Sequence, residues 1–152
     1  MSQSINLVAY GITKDGMLSE SKKVELIEAA FVTPALLDEL KLVAPLAKRD
    51  VSGSTDSTVD YSIECFDAAN IESAIKKLKN MFLIILESDA SKLLIKDEES
   101  TKALTVTHGK DANSSAIDEA ISRFRVITNV IHIFELKHIK YASDDSVIVK
   151  MG

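Results

Sequence analysis

An apolar stripe in the middle of the chain constrains the fold most strongly. Its five members recur at spacings of four, three, four and three residues: Ile71, Ile75, Leu78, Phe82 and Ile85. This spacing places all five side chains on one face of an α-helix. The stripe therefore predicts a long amphipathic helix, and we expect its five residues in the core.

A strict alternation precedes that stripe. Apolar Val59, Tyr61, Ile63 and Cys65 alternate with Asp60, Ser62 and Glu64. Period two is typical of a strand with one buried face and one solvent face. We expect Tyr61 and Ile63 in the core. Cys65 falls on the apolar side beside the acidic residues Glu64 and Asp67, which predicts a packed, inert thiol.

The N-terminal third predicts one strand and two helices. The run 5–12 is apolar on both faces, as in an interior strand, and a turn at 14–16 follows. The spacing of Val24, Ile27 and Phe31 favours a helix that Ser19 or Ser21 begins. A second helix is expected from Thr33–Pro34 up to about Pro45, with an apolar stripe of Leu36, Leu37, Leu40 and Val43.

The C-terminal third contains signals for both helices and strands. Residues 93–95 suit a further helical turn or a short strand, and 103–107 suit a short strand. A last helix is expected from Ser115, with an inner face of Ile117, Ile121, Phe124, Thr128 and Ile131. From about Val130 to Tyr141, β-branched and aromatic residues favour a strand instead. That strand and a final one at 147–149 would form a C-terminal β-hairpin.

These elements predict a single α+β domain over residues 1–152. We expect helices on one face of a small mixed β-sheet, and polar loops near 50–58 and 107–115. The alternative makes 115–141 one long helix, in a mostly α bundle with a minor sheet.

Composition limits the class of protein. The chain has 152 residues, one cysteine and a net charge of −5 from 23 acidic and 18 basic side chains. No signal peptide or membrane span is recognisable, so we expect a soluble, cytoplasmic protein. The acidic balance disfavours nucleic-acid binding, and the basic clusters 76–79 and 137–140 suit solvated surfaces.

No pattern of residues predicts a metal or cofactor site. The acidic runs 97–99 and 144–145 lack the alternating ligands and glycine of a calcium loop, and we expect both to be polar connections. The run 108–111 lacks the glycines of a phosphate-binding loop. The three histidines have no ligand spacing around them. We therefore expect no metal and no cofactor.

One pair of residues matches a catalytic motif. Arg125 and His132 are separated by six residues, so on a helix both would share a face. The pair resembles the Arg–x(4–6)–His motif of HEPN-type ribonucleases, which act on RNA at a dimer interface. The resemblance covers eight residues and requires that 125–132 be helical. It implies that Arg125 and His132 are catalytic.

The sequence favours a non-enzymatic protein that works through protein–protein contacts. Such a protein would be a small regulator, inhibitor or adaptor, or a subunit of a homo-oligomeric assembly such as a viral or phage particle. The strand at 5–12 and the C-terminal hairpin would offer edges for pairing between subunits. The alternative is a HEPN-like ribonuclease that uses Arg125 and His132. A small-ligand module is a third possibility.

Overall fold

The computed structural model describes the backbone of residues 3–20, 24–53, 60–103 and 112–152, and the side chains of those ranges except 89–103 and 112–117. The strands are β1 (Gln3–Ala9), β2 (Gly11–Ile12), β3 (Leu18–Ser19), β4 (Glu25–Val32), β5 (Leu46–Ser52), β6 (Tyr61–Phe66) and β7 (Val147–Met151). The helices are α1 (Pro34–Val43), α2 (Ile71–Ala103) and α3 (Ala112–Glu135), which continues as a π-helical turn (Leu136–Lys140).

The strands form one mixed sheet in the order β2-β3-β5-β6-β7-β1-β4. Neighbours are antiparallel except β3 and β5, which are parallel. Because β1 runs into β2 through the single residue Tyr10, the pairing closes into a circuit. Among the described strands, β4 alone lies outside this circuit, and it pairs with β1 along one edge.

The two faces of the sheet bury different clusters. Ile5 and Leu7 of β1 pack with the three helices in the main core. Val8 and Tyr10 point to the opposite face, into a smaller cluster that the closed circuit surrounds, with Leu18, Val51, Cys65 and Ile148. An α+β fold with helices on one face of a mixed sheet is therefore confirmed. The alternative is wrong in its mostly α bundle with a minor sheet, but its long helix over 115–141 is confirmed by α3 and the π-helical turn up to Lys140.

The interior strand predicted at 5–12 is confirmed as β1 and β2, and Gly16 supplies the turn with a φ of 81°. The helix predicted around Val24, Ile27 and Phe31 is wrong, since residues 25–32 form β4. Ala30 and Val32 are buried while Phe31 is exposed, which is a period of two. Pairing with β1 overrides the chance helical spacing.

The helix predicted from Thr33–Pro34 is confirmed as α1. The Thr33 hydroxyl accepts a hydrogen bond from the Leu36 amide at 3.3 Å, and the helix ends at Val43, two residues before Pro45. Three of its predicted stripe residues are buried: Leu36, Leu37 and Leu40. This N-cap and the proline at the first helical position fix where the chain turns from β4 back onto the sheet.

The central strand and helix are confirmed as β6 and α2. Of the predicted stripe, Ile71, Ile75 and Leu78 are buried, and Phe82 and Ile85 pack against the same core. Tyr61 was wrongly expected in the core, because it lies 37% exposed near the rim of the sheet; Ile63 is half-buried.

The prediction of a C-terminal β-hairpin is wrong. Residues 130–140 stay helical because Val130, Ile133, Phe134 and Lys137 repeat at helical spacing and form a buried face. The inner face of α3 is accordingly shifted from the predicted one, and Ile121 and Thr128 are exposed. The final strand is confirmed as β7, but it pairs with β1 and β6 in the sheet interior.

The remaining predictions concern the segments in and around α2, β5 and the start of α3. Residues 93–95 and the acidic run 97–99 belong to α2, so the latter is not a connection. The strand expected at 103–107 lies outside the described residues except for Ala103, which ends α2. The loop expected near 50–58 overlaps β5 up to Ser52, and the loop near 107–115 overlaps α3 from Ala112.

Candidate functional site

Arg125 and His132 both lie on α3, which is continuous across them. Seven residues correspond to about 10.5 Å along a helix axis, and both side chains are solvent-exposed on that helix. The structure therefore meets the helical condition that the motif requires. Among the described side chains, no hydrogen bond or ion pair joins the two residues to each other.

The basic cluster 76–79 of α2 is engaged in ion pairs. Lys76 pairs with Glu72 of the same helix at 3.5 Å. Lys77 reaches Glu39 of α1 at 3.1 Å, and Lys79 reaches Glu135 at the end of α3 at 2.7 Å. These contacts tie three helices together, so the cluster is a helix-bridging surface rather than an open cationic patch.

The acidic pair 144–145 is built into a turn. The Asp144 carboxylate accepts hydrogen bonds from the Ser146 amide and hydroxyl, which hold the pKa of Asp144 below its usual value. The Asp145 carbonyl accepts a bond from Arg49 at 3.3 Å. Within the described side chains, no group of three potential ligands is placed to hold a metal ion.

A cavity of about 380 Å³ lies beside that turn. Its lining combines charged, thiol and apolar groups: Ala47, Arg49, Cys65, Phe66, Asp67, Ala68, Lys137, Asp145, Val147 and Ile148. Two cations face two carboxylates here, so their charges largely compensate one another. The cavity therefore has a lining of charged side chains whose charges compensate one another, together with apolar side chains.

Lys137 holds one wall of that cavity in place. Although it was expected on a solvated basic patch, its side chain is buried, with 6% exposure. Its ammonium group donates to the carbonyls of Tyr141 at 2.9 Å and Asp144 at 2.7 Å. Each of these carbonyls also accepts a backbone amide, from Asp144 and from Val147 respectively, so the ammonium group is a second donor to both. Burial lowers the pKa of Lys137.

Cys65 is packed as the alternation predicted, with 2% exposure. Burial raises the pKa of its thiol, although Arg49 acts in the opposite direction. Because a thiolate is the reactive form, this environment favours the unreactive thiol. Arg49 comes from the neighbouring strand β5, so the local sequence around Cys65 gave no sign of it.

A second polar cluster lies at the rim of the circuit. Tyr61 donates a hydrogen bond to the carboxylate of Glu20, and Tyr10 lies beside it. Burial raises the pKa of both phenols, and Glu20 raises each of them further. The cluster joins β6 to the segment after β3.

The outer edge of β4 is the most exposed apolar feature of the sheet. Within the described part of the chain, no strand pairs with this edge. Leu26 is 59% and Phe31 50% exposed. A register shift in β4 brings Leu26 opposite Val8, while Phe31 lies opposite Ser4. Since Val8 and Ser4 are on one face of β1, the bulge brings Leu26 and Phe31 to the same face of β4. Phe31, near the end of the strand, also lines a groove between the helices.

An apolar groove of about 500 Å³ lies at the C-terminal end of β4, among the three helices. Its walls include Leu36 of α1, Met81 and Ile85 of α2, and Val126 and Ile127 of α3. The groove adds apolar surface next to the open edge.

None of the helices in the described residues has both the length and the apolar character that crossing a membrane requires.

Comparisons with models of known protein families, with curated proteins and with solved structures find no match for this chain. Sequence reasoning missed the edge of β4, because a helix was expected there. It also missed Lys137, although the spacing of Val130, Ile133 and Phe134 places Lys137 on the same buried face.

Proposed function

We propose that this protein is a non-enzymatic interaction protein that works by self-association, as a subunit of a homo-oligomer. The observation that carries the proposal is the open outer edge of β4, an eight-residue strand. Natural sheets protect exposed edges by shortness, proline, lysine or a covering element. β4 has a bulge and two glutamates, but it is eight residues long, contains no proline or lysine, and no described strand pairs with its outer edge, so this edge is suited to pairing with another strand.

Exposed apolar side chains support the same conclusion. Leu26 and Phe31 lie on one face of β4, so an added strand would cover both. The carboxylates of β4, Glu25 and Glu28, lie at exposed positions on the same strand. They keep the isolated edge soluble without occupying the face that carries Leu26 and Phe31.

The edges first expected to pair do not support the proposal. β1 and β7 are interior strands, each with a neighbour on both sides. Val147, Ile148 and Val149 are buried, with 2%, 5% and 1% exposure. Pairing between subunits through these strands would require the sheet to open, so β4 takes their place in the proposal.

The experiment measures mass in solution against protein concentration, by light scattering after size exclusion. The wild type is expected at twice the 16.6 kDa monomer mass or more at high concentration. Phe31→Lys is expected to weaken association at least tenfold, because a buried phenylalanine contributes about 1.5–3 kcal/mol. Leu42→Lys is the matched control, since Leu42 is 76% exposed on α1.

A wild-type protein that stays monomeric at every concentration would contradict the proposal. So would an oligomer that Phe31→Lys and Leu42→Lys weaken equally, because β4 would then have no special part. If the purified protein retained a different protein instead of a second copy, the edge of β4 would bind that partner, as expected of an adaptor.

The ribonuclease alternative keeps one supporting observation, the unbroken helix through Arg125 and His132. Its test is cleavage of single-stranded RNA by the wild type, by His132→Ala and by the control His138→Ala. Loss of cleavage in His132→Ala alone would support it. Absence of cleavage by the wild type, or equal cleavage by all three proteins, would reject it.

A further inference from the structure

The backbone of β4 indicates which groups a partner strand would meet. The Ala29 amide donates to the carboxylate of its neighbour Glu28 at 3.2 Å, so it points away from β1. In an antiparallel strand, the N–H and C=O of a residue point to the same side, and alternate residues point to opposite sides. Ala29 and Phe31 therefore present their backbone groups to the open edge, and Ala30 presents its own to β1.

We propose that the partner is a second copy of β4, added antiparallel about a two-fold axis between paired Ala29 residues. This inference rests on the proposed self-association. At the centre, each Ala29 exchanges both backbone hydrogen bonds with its counterpart. Such an interface is isologous, so one self-complementary strand is sufficient on both sides.

The bulge makes this register complementary in side chains as well. Stepping outward from the centre, Glu28 of one copy lies opposite Ala30 of the other. At the next position, the bulged pair Leu26–Ile27 lies opposite Phe31. The two exposed apolar residues of each copy, Leu26 and Phe31, then lie next to those of the other copy. No glutamate lies directly opposite another glutamate.

A register shifted by one residue lacks this match. With Ala30 opposite Ala30, Phe31 would face Ala29, and Glu28 would face the apolar Val32. Leu26 would move beyond the partner's strand, which ends at Val32. The axis at Ala29 is therefore the register that covers the exposed apolar residues.

Glu28 limits the strength of the pairing. The two Glu28 side chains lie diagonally across the axis at about 7–8 Å, close enough to repel. Each also holds the Ala29 amide that a partner carbonyl must take over. We expect Glu28→Gln to tighten association several-fold, whereas the matched Glu25→Gln, farther from the axis, changes it little.

Cysteine pairing tests the register in the full chain. Ala29→Cys is expected to form an intermolecular disulfide, because paired residues lie at about 5.5 Å between Cα atoms. A mixture of Glu28→Cys and Ala30→Cys proteins is expected to form the mixed disulfide, which provides a second readout. The native Cys65 is buried and is kept.

Each outcome supports or overturns the inference. Crosslinking of Ala29→Cys or of the mixed pair, without crosslinking of Ala30→Cys alone, supports the two-fold axis at Ala29. Crosslinking of Ala30→Cys alone overturns that register in favour of the shifted one. An oligomer by mass without any of these disulfides overturns the β4 pairing but leaves self-association intact. A protein that is monomeric at every concentration overturns both.

Discussion

Lys137 places an ammonium group inside the protein, where its partners are the carbonyls of Tyr141 and Asp144. Lys137→Met removes both hydrogen bonds and leaves two carbonyls without that donor. Each carbonyl keeps a backbone amide as its other donor. We expect a loss of about 1–3 kcal/mol in the free energy of unfolding, from the two hydrogen bonds of a charged donor. Urea denaturation of both proteins measures it.

The control for that change is Lys140→Met, three residues away in the same turn. Lys140 is exposed, with its ammonium group 5.3 Å from the centre of the Tyr141 ring. Its replacement should alter the stability by no more than about 0.5–1 kcal/mol. Equal losses for the two variants would mean that burial of Lys137 has no structural role.

The tyrosine cluster predicts a loss of stability at high pH. The pKa values of Tyr10 and Tyr61 are raised above the ordinary value of 10.0 in the folded state. Above pH 10, the phenols of the unfolded chain ionise while the folded ones keep their protons. The unfolded state is thereby favoured, so stability should be complete below pH 10 and fall as pH rises above it.

Tyr61→Phe isolates this contribution. Lys137 acts in the opposite direction, because its lowered pKa makes stability rise with pH up to its ordinary value of 10.5. The comparison is therefore between wild type and Tyr61→Phe, in urea denaturation on either side of pH 10. The variant should lose less stability with rising pH, and a steeper loss in the variant would contradict the assignment.

At the scale of the elements, Phe134 decides between a helix and a strand near the C-terminus. It is fully buried on α3 and meets Phe66 edge-on, with ring centres 5.1 Å apart. Phe134→Ala should destabilise the protein by about 3–5 kcal/mol. Ile139→Ala is the matched control, because Ile139 is 75% exposed and its loss should cost less than about 0.5 kcal/mol. Comparable losses would disagree with the helical register, and thermal denaturation measures both.

The helices that the sequence predicted correctly carry a clear local signal. The Thr33 cap and the following proline support the apolar stripe of α1, and five regularly spaced residues define α2. In contrast, the segment between Val130 and Tyr141 is rich in β-branched residues, which favour a strand, but its apolar residues also recur at helical spacing. The segment is helical because the helix buries those apolar residues. At β4 the local spacing was helical, and only pairing with β1 explains the strand.

For the molecule as a whole, the order of the strands in the sheet could not be predicted from local sequence patterns. The sequence predicted the α+β class, but the closed circuit depends on contacts between strands far apart in the chain, such as β7 with β1. The candidate interface follows from that order, since a strand is an edge only in relation to its neighbours. The cavity beside Lys137 depends on the same distant contacts, between β5, β6 and the end of α3.

Hydrogen exchange of the β4 amides at increasing protein concentration tests the central claim most directly. The Ala30 and Val32 amides face β1 and should be protected at every concentration. The Ala29 and Phe31 amides should exchange quickly in dilute protein and become protected as it associates. Rapid exchange of these two amides in a fully associated sample would contradict pairing through β4.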